Sequence, residues 1–129
     1  MVDLSRVESL VGKDSVDKLK TKHVLICGVG GVGSFVAEAL ARSGVGELTL
    51  VDFDKVDPSN LNRQLMASKS NIGSIKVDEL KKHLDDISDA KIHINNVFID
   101  NSFKLDKDYD YVVDCIDTLT SKFHLNKIC

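Results

Sequence analysis

The chain has 129 residues, enough for one domain with a buried core and too few for two. Its 43% apolar and 29% charged residues are typical of an ordinary globular protein. The net charge of −3 excludes a globally basic surface for nucleic acid, and no apolar run approaches the length of a membrane span.

The first residues predict a helix rather than a targeting segment. Asp3–Lys20 has helical spacing of apolar residues, interrupted at Gly12; the predicted apolar face is Val7, Leu10, Val11, Val16 and Leu19. The first ten residues include acidic side chains and lack the apolar core of a signal peptide. Two of the three cysteines lie inside apolar strand patterns, so we expect reduced thiols in a cytoplasmic protein. No CxxC pair occurs, which excludes a zinc site built on such pairs from this chain.

The segment His23–Asp54 organises the chain. A short buried strand, Val24–Cys27, leads into the glycine turn GVGGVG at residues 28–33. A helix over Ser34–Ser43 and a second buried strand over Leu48–Val51 follow, and the strand ends in the acids Asp52 and Asp54. This order is the fingerprint of a dinucleotide-binding unit.

Each part of that unit has a physical reason. Gly28 permits a sharp turn, Gly30 lets the backbone approach a phosphate, and Gly33 permits close packing of the helix on the strand. The helix N-terminus presents free N–H groups and the positive end of its dipole to an anion. Asp52 can accept hydrogen bonds from ribose hydroxyls. The pattern indicates a nucleotide site without identifying the nucleotide.

Residues 55–73 form a predicted loop around Pro58, the only proline. The loop follows the carboxyl end of the second strand, where open α/β sheets bind ligands. This position brings Asn60, Asn62, Arg63 and Gln64 near the nucleotide, although a solvated polar loop is the alternative on local composition.

A helix over Ser74–Ser88 follows, with Val77, Leu80, Leu84 and Ile87 as its apolar stripe. Lys76 lies in the first turn of this helix, where the dipole disfavours a cation. Its position hints at an anionic ligand; an exposed lysine without a role is the alternative.

The rest of the chain predicts two further strands and a last helix. Lys91–Ile99 alternates as a half-covered strand, and its His93 has no metal-ligand partners that the sequence identifies. Tyr111–Ile116 is a buried strand containing Asp114, which would be costly to bury unless paired. Asp117 follows at the ligand edge, where a carboxylate can hold Mg²⁺. The helix of Thr118–Cys129 has Thr118 or Thr120 as its cap.

Alternating strands and helices predict an α/β fold, a Rossmann-like three-layer α/β/α structure with a mainly parallel sheet. We expect an N-terminal helical segment at 1–22 and a nucleotide-binding domain at 23–129. That domain is expected to be truncated, because the sequence stops within a predicted helix.

Four motifs resemble the ThiF-type, ubiquitin-activating-like adenylyltransferases: GVGGVGS, LTLVDFDKVDPSNLNRQ, IGSIKVDELK and YVVDCIDT. The resemblance runs from about Arg6 to the last residue. The opening RVESLVGKDSVDKLKTKHV and the phrase GVGSFVAEALARSGVGELTLVDFD look closest to the branch that cyclises N6-threonylcarbamoyladenosine in tRNA. Members bind ATP–Mg²⁺, activate a carboxylate as an acyl-adenylate and release pyrophosphate.

The resemblance also implies residue roles. The glycine turn, including Gly31, would carry the ATP phosphates and Asp52 the ribose. The triphosphate would be bound by Ser59, Asn60, Arg63 and Lys76. Asp117 would be the essential acid near Mg²⁺, assisted by Asp54, and Arg6 would reach the site of the partner subunit in a homodimer.

The family's catalytic domain is roughly twice as long as this chain, so its later segments have no counterpart here. The resemblance leaves a second acceptor open, the C-terminus of a ubiquitin-like sulfur-carrier protein. From the residues alone, an NAD-dependent oxidoreductase and a non-catalytic nucleotide-binding module also remain open. Arg63, Lys76 and Asp117 favour a triphosphate with metal over a dinucleotide. Cys27 and Cys115 lie in strand patterns and are expected to be structural.

Overall fold

The structure, a computed structural model, describes residues 1–129 and is built on a four-stranded parallel sheet. The strands lie in the order β3-β2-β1-β4, with β1 at His23–Cys27, β2 at Glu47–Val51, β3 at Lys91–Asn95 and β4 at Tyr111–Asp114. The helices are α1 (Ser5–Val11), α2 (Lys13–Leu19), α3 (Gly33–Arg42), α4 (Lys76–Ile87) and α5 (Leu119–Ile128). Parallel pairing of β1 with β2 confirms that the strand before the glycine turn and the strand after α3 are neighbours.

Alternate residues of the strands supply two separate cores. On one face, Ile26, Leu48 and Leu50 are fully buried with Leu80 and Leu84 of α4. On the other face, Leu25, Cys27 and Val51 pack with Phe103 of the β3–β4 connection and Leu125 of α5. Because helices cover both faces, the Rossmann-like three-layer prediction is confirmed.

The helical segment predicted over Asp3–Lys20, with an interruption at Gly12, forms two short helices. Gly12 separates α1 from α2 with φ +88°, a conformation that glycine adopts freely and that ends a helix. Its predicted apolar face divides accordingly: Val16 on α2 is buried, whereas Leu10 on α1 is 85% exposed.

Two strand ends also differ from the prediction. β3 stops at Asn95 instead of Ile99, because the chain leaves the sheet and buries Ile99 in the second core. β4 stops at Asp114 instead of Ile116. Asp114 is on an edge strand rather than inside the sheet, so its carboxylate remains partly exposed and pairs with Lys122 at 3.1 Å.

The parallel strands place all four carboxyl ends at one edge of the sheet, which is where the functional residues converge. None of the helices is both long enough and apolar enough to span a membrane. The division into segments 1–22 and 23–129 stays a prediction.

Candidate functional site at the carboxyl edge of the sheet

The glycine turn after β1 is closed so tightly that two of its positions exclude any side chain. Gly28 has φ +90°, and a Cβ there would overlap the carbonyl oxygen of Cys115. A Cβ on Gly33 would overlap the carbonyl oxygen of Gly28. The turn therefore brings the N-terminus of α3 directly against the ends of β1 and β4. No side chain caps α3 at Val32. The N–H of Ser34 donates to the carbonyl of Gly30, whereas the N–H of Gly33 has no acceptor and is available to an anion.

The Asp52 carboxylate ties this turn to the end of β2. Its Oδ2 accepts the N–H of Val29 at 2.9 Å, and its Oδ1 accepts the N–H of Asp54 at 2.9 Å. Each oxygen keeps a lone pair for a further donor. Asp52 therefore supports the backbone of the turn and can still accept from a hydroxyl.

Lys76 is a nearly buried cation in the first turn of α4. Its side chain is 6% exposed, and its Nζ lies 3.5 Å from Oδ2 of Asp54. The alternative prediction, that Lys76 is an exposed lysine without a role, is thus wrong. A buried ammonium needs an anionic partner, and Asp54, which is half-exposed, supplies only one. Lys76 lines a pocket together with Gly28 and Gly30 of the glycine turn.

The pocket has a volume of about 90 Å³ and joins residues from every predicted motif. Of the predicted site residues, it is lined by Gly28, Gly30, Asp52, Asp54, Gln64, Lys76 and Asp117. Asp117 is exposed there, beside Thr118 at the start of α5. Thr118 is the N-cap position of α5, although its side chain makes no capping hydrogen bond.

Gln64 is a nearly buried polar residue in the wall of this pocket. The residue is 7% exposed, and its Oε1 is buried without a hydrogen-bond partner. Its Nε2 lies 3.3 Å from the place where a Cβ on Gly30 would stand. An unpaired buried acceptor is costly, so the orphaned oxygen favours a ligand that donates a hydrogen bond here.

The remaining predicted residues of the loop lie outside the pocket and shape the loop. Residues Pro58–Asn60 form a short 3₁₀ helix in which Asp57 accepts the N–H of Ser59 and Asn60 accepts the N–H of Asp57. The hydrogen bonds from Ser59 lower the pKa of Asp57. The side chain of Arg63 lies 3.4 Å from the place where a Cβ on Gly31 would stand, and Arg63 donates to the carbonyl of Ser59 at 2.9 Å.

Arg6 is not brought to the pocket. It is exposed on α1, and Leu4, just before that helix, contacts Gly44, which precedes β2. The start of α1 therefore lies near the amino ends of the strands, away from the glycine turn.

Sequence reasoning missed three residues of the site. Ser34 is fully buried; its hydroxyl donates to the carbonyl of Gly30 at 2.6 Å and accepts the N–H of Leu65 at 3.4 Å. Phe53 and Phe98 pack edge to face at 4.8 Å and line the pocket beside Asp52. The phrase VDFD signalled an exposed aromatic residue between two acids, but Phe98 lies too far along the chain for a local pattern to find it.

Cys27 is buried and Cys115 is partly buried, as expected of structural thiols, whereas Cys129 is exposed. Burial raises the pKa of the Cys27 thiol to about 12, and burial also raises the pKa of Cys115. Neither supplies a thiolate near neutral pH.

His93 has the partners that the sequence did not identify. The strand register brings it beside Glu47, and its Nε2 lies 2.5 Å from Oε2 of Glu47. His23 lies on the other side of Glu47, with Nδ1 3.7 Å from the same oxygen. The hydrogen bond from His93 lowers the pKa of Glu47, while burial lowers the pKa of His23. We call these three residues the amino-edge cluster, since they lie at the end of the sheet opposite the pocket.

Comparison with known proteins finds a match of residues 4–129 to the model of the ThiF family. The tRNA threonylcarbamoyladenosine dehydratase of Bacillus subtilis is 46% identical over 129 residues, covering 97% of this chain and 51% of that protein. The adenylyltransferase and sulfurtransferase MOCS3 of Culex quinquefasciatus is 34% identical, covering 94% of this chain and 28% of that protein. The chain thus spans about half the length of the curated dehydratases it matches.

A solved structure has the same fold. The Escherichia coli tRNA N6-threonylcarbamoyladenosine dehydratase in complex with ATP superposes with a TM-score of 0.92 at 32% identity. The match covers 97% of this chain and 56% of that one.

Proposed function

Because this chain belongs to the ThiF family, we propose that it is the ATP-binding part of an enzyme that activates a carboxylate by adenylylation. The observation that carries the proposal is the pocket in which the buried Lys76 and the exposed Asp117 meet the glycine turn. Such a pocket offers a cation and free N–H groups to a polyanion, and it offers a carboxylate to the Mg²⁺ that accompanies the polyanion. The ATP complex of the E. coli relative supports ATP as that polyanion.

The nucleoside end of ATP is assigned to the side of the pocket next to Asp52. Its carboxylate oxygens are held by Val29 and Asp54 and are suited to accept from ribose hydroxyls. The aromatic pair of Phe53 and Phe98 offers an apolar surface for the base. The volume of about 90 Å³ is smaller than the several hundred Å³ of a typical ligand site, so this pocket would enclose only part of ATP.

The phosphate end is assigned to the glycine turn, Lys76 and Arg63. Lys76 supplies a fixed charge from the pocket wall. Arg63 supplies a second cation beside Gly31, and its Nη1 is held by the carbonyl of Ser59. Both would stabilise the negative charge that spreads over the α-phosphate during attack by the carboxylate. Ser59 and Asn60 act here by holding the loop that carries Arg63.

Mg²⁺ fits the acidic groups of this pocket. Asp117 is exposed, and Asp54 is half-exposed, so both carboxylates can reach a hard cation that prefers oxygen ligands and keeps several waters. Asp117 would hold it, with Asp54 assisting from its pair with Lys76. A bound Mg²⁺ would neutralise part of the triphosphate charge.

The substrate we propose is the threonylcarbamoyl group on a tRNA adenosine, as the name of the B. subtilis relative suggests. A carboxylate oxygen would attack the α-phosphorus and release pyrophosphate; the carbamoyl unit would then attack the acyl carbon and release AMP. The MOCS3 relative supports a second acceptor, the C-terminus of a ubiquitin-like sulfur-carrier protein. The greater identity to the dehydratase favours the tRNA substrate.

The same proposal includes a homodimer in a cytoplasmic setting. Arg6 does not reach the pocket of its own chain, and it is exposed on α1. It is therefore free to approach the triphosphate of a second subunit.

Titration of the chain with ATP–Mg²⁺ and, separately, with NAD⁺ tests the nucleotide assignment. We expect ATP–Mg²⁺ to bind at least tenfold more tightly, and Asp117→Asn to remove most of the Mg²⁺ dependence. Asp86→Asn, on the exposed face of α4, is the matched control and should bind like the wild type. Tighter binding of NAD⁺ would refute the proposal in favour of an oxidoreductase. Pyrophosphate exchange with a threonylcarbamoyladenosine-bearing tRNA tests the substrate.

A further inference from the structure

The amino-edge cluster presents two imidazoles and one carboxylate from three neighbouring strands. His23 begins β1, Glu47 begins β2, and His93 is the third residue of β3. Register pairs His23 with Glu47 and Thr49 with His93, so all three side chains project from one face of the sheet. Their ligand atoms lie within 4.8 Å of one another. The strand pairing therefore fixes the spacing of the set, and none of the three depends on a loop.

From this arrangement we propose that His23, Glu47 and His93 bind a divalent transition-metal ion, with Zn²⁺ as the best fit. Two imidazoles and one carboxylate are a ligand set that zinc uses in proteins with a water in the fourth position. Ligand atoms around tetrahedral zinc stand roughly 3.3 Å apart, since each lies about 2.0–2.2 Å from the metal. The separations of 2.5 Å between His93 and Glu47 and 3.7 Å between His23 and Glu47 bracket that value. Side-chain rotations alone would accommodate the ion.

The surroundings of His23 orient it for this role. Its Nε2 lies 2.7 Å from the hydroxyl of Thr49, and an edge-on contact with Tyr109 holds the ring at a centroid distance of 4.7 Å. A proton on Nε2 donated to Thr49 leaves the lone pair of Nδ1 directed toward Glu47. The ring therefore needs no rearrangement to become a ligand.

Access to the site is also provided. His23 is mostly buried, whereas the side chains of His93 and Glu47 are about one-third exposed. One side of the cluster is thus open to solvent for metal entry and for the water ligand. Because the cluster lies at the amino ends of the strands, the metal would brace β1, β2 and β3 rather than take part in chemistry at the pocket.

The test is calorimetric titration of the EDTA-treated chain with ZnCl₂, repeated with Co²⁺ while its visible absorption is recorded. We expect one ion per chain, Co²⁺ bands without sulfur charge transfer, and a higher melting temperature with Zn²⁺. Mutation of a residue that only hydrogen-bonds to a metal ligand typically lowers metal affinity by about 10–100-fold. Loss of a ligand itself should cost more, so Glu47→Gln and His93→Ala should each weaken Zn²⁺ binding by at least about 100-fold. Thr49→Val should weaken it by about tenfold, because it removes the group that orients His23.

His83→Ala is the matched control. His83 makes a similar pair with Glu38, at 2.6 Å, but it lacks a second histidine. The His83→Ala variant should bind Zn²⁺ like the wild type. Absence of saturable binding, sulfur charge transfer in the Co²⁺ spectrum, or equal loss in the His83 control would each overturn the proposal. The nucleotide titration is independent, because it is performed without transition metal.

Discussion

Replacing Lys76 by Met should weaken ATP binding strongly while changing the folding stability little. Methionine keeps an unbranched apolar stem of similar length, so the space that this nearly buried side chain occupies against α4 and the loop remains filled. What the substitution removes is the ammonium group. The variant therefore separates the structural role of the side chain from the role of its charge.

The stability change is small because two large terms oppose each other. At 3.5 Å, the attraction between Lys76 and Asp54 is about 5 kcal/mol for an effective dielectric constant near 20. Burying the ammonium costs several kcal/mol, and half-exposed Asp54 is partly screened and can be hydrated after the substitution. We therefore expect the free energy of unfolding to change by no more than about 1 kcal/mol.

The binding change has no such compensation. A hydrogen bond from a charged donor contributes about 1.5–3 kcal/mol net, so losing one to a phosphate should raise the Kd for ATP–Mg²⁺ by about 10- to 150-fold. Calorimetric titration measures this Kd, and urea denaturation measures the stability. Lys82→Met is the control, since Lys82 lies on the same helix but is mostly exposed. An unchanged Kd, or a loss of more than about 3 kcal/mol in stability, would refute the assignment of Lys76 to the phosphates.

Three further outcomes test the glycine turn, the cysteines and the loop cap. Gly33→Ala should unfold the chain or lower its stability by at least about 3 kcal/mol in thermal denaturation, whereas Gly31→Ala meets only ordinary contacts and should be tolerated; equal stability of the two would contradict the steric argument. Iodoacetamide at pH 8 should modify exposed Cys129 rapidly and leave Cys27 unmodified in the folded chain, as peptide mass spectrometry would show, and rapid labelling of Cys27 would speak against its burial. The pKa of Asp57 is lowered in the folded state, so its stabilising effect is present above its ordinary value of 3.8 and is lost progressively as the pH falls through the lowered folded-state pKa. Asp57→Ala should therefore lower the melting temperature more at pH 7 than near pH 3, and an equal difference at the two pH values would exclude the charge as the cause.

Features that depend on local sterics were predictable from the sequence. The turn requires glycine at positions 28 and 33 because backbone atoms occupy the places where their Cβ atoms would stand, and the spacing of the glycines shows that requirement directly. The apolar stripe of α4 is equally local, and its residues Val77, Leu80 and Leu84 are fully buried. The positions of Asp52 and Asp54 could be predicted in the same way, because the end of β2 is visible in the sequence where its apolar residues stop.

Features that depend on tertiary pairing were not predictable. The ion pair of Asp54 with Lys76 joins residues from two motifs, and it becomes visible only because the segment after β2 contacts the start of α4. The partners of His93 require the register of β3 on β2, which periodicity does not give. The interruption at Gly12 was visible from the glycine itself, but the φ of +88° that separates α1 from α2 was not.

The hydrogen bonds of Asp52 have a consequence for the thermodynamics of ligand capture. With Val29 and Asp54 already tied to its carboxylate, the binding loop is ordered before any ligand arrives. Little conformational entropy is then lost on association, which is the advantage of a preorganised receptor. Removing this carboxylate would do more than delete one acceptor: it would turn association into coupled ordering and binding, with a larger unfavourable entropy. A calorimetric comparison of Asp52→Ala with Asp52→Asn would reveal that penalty as a change in entropy as well as in enthalpy.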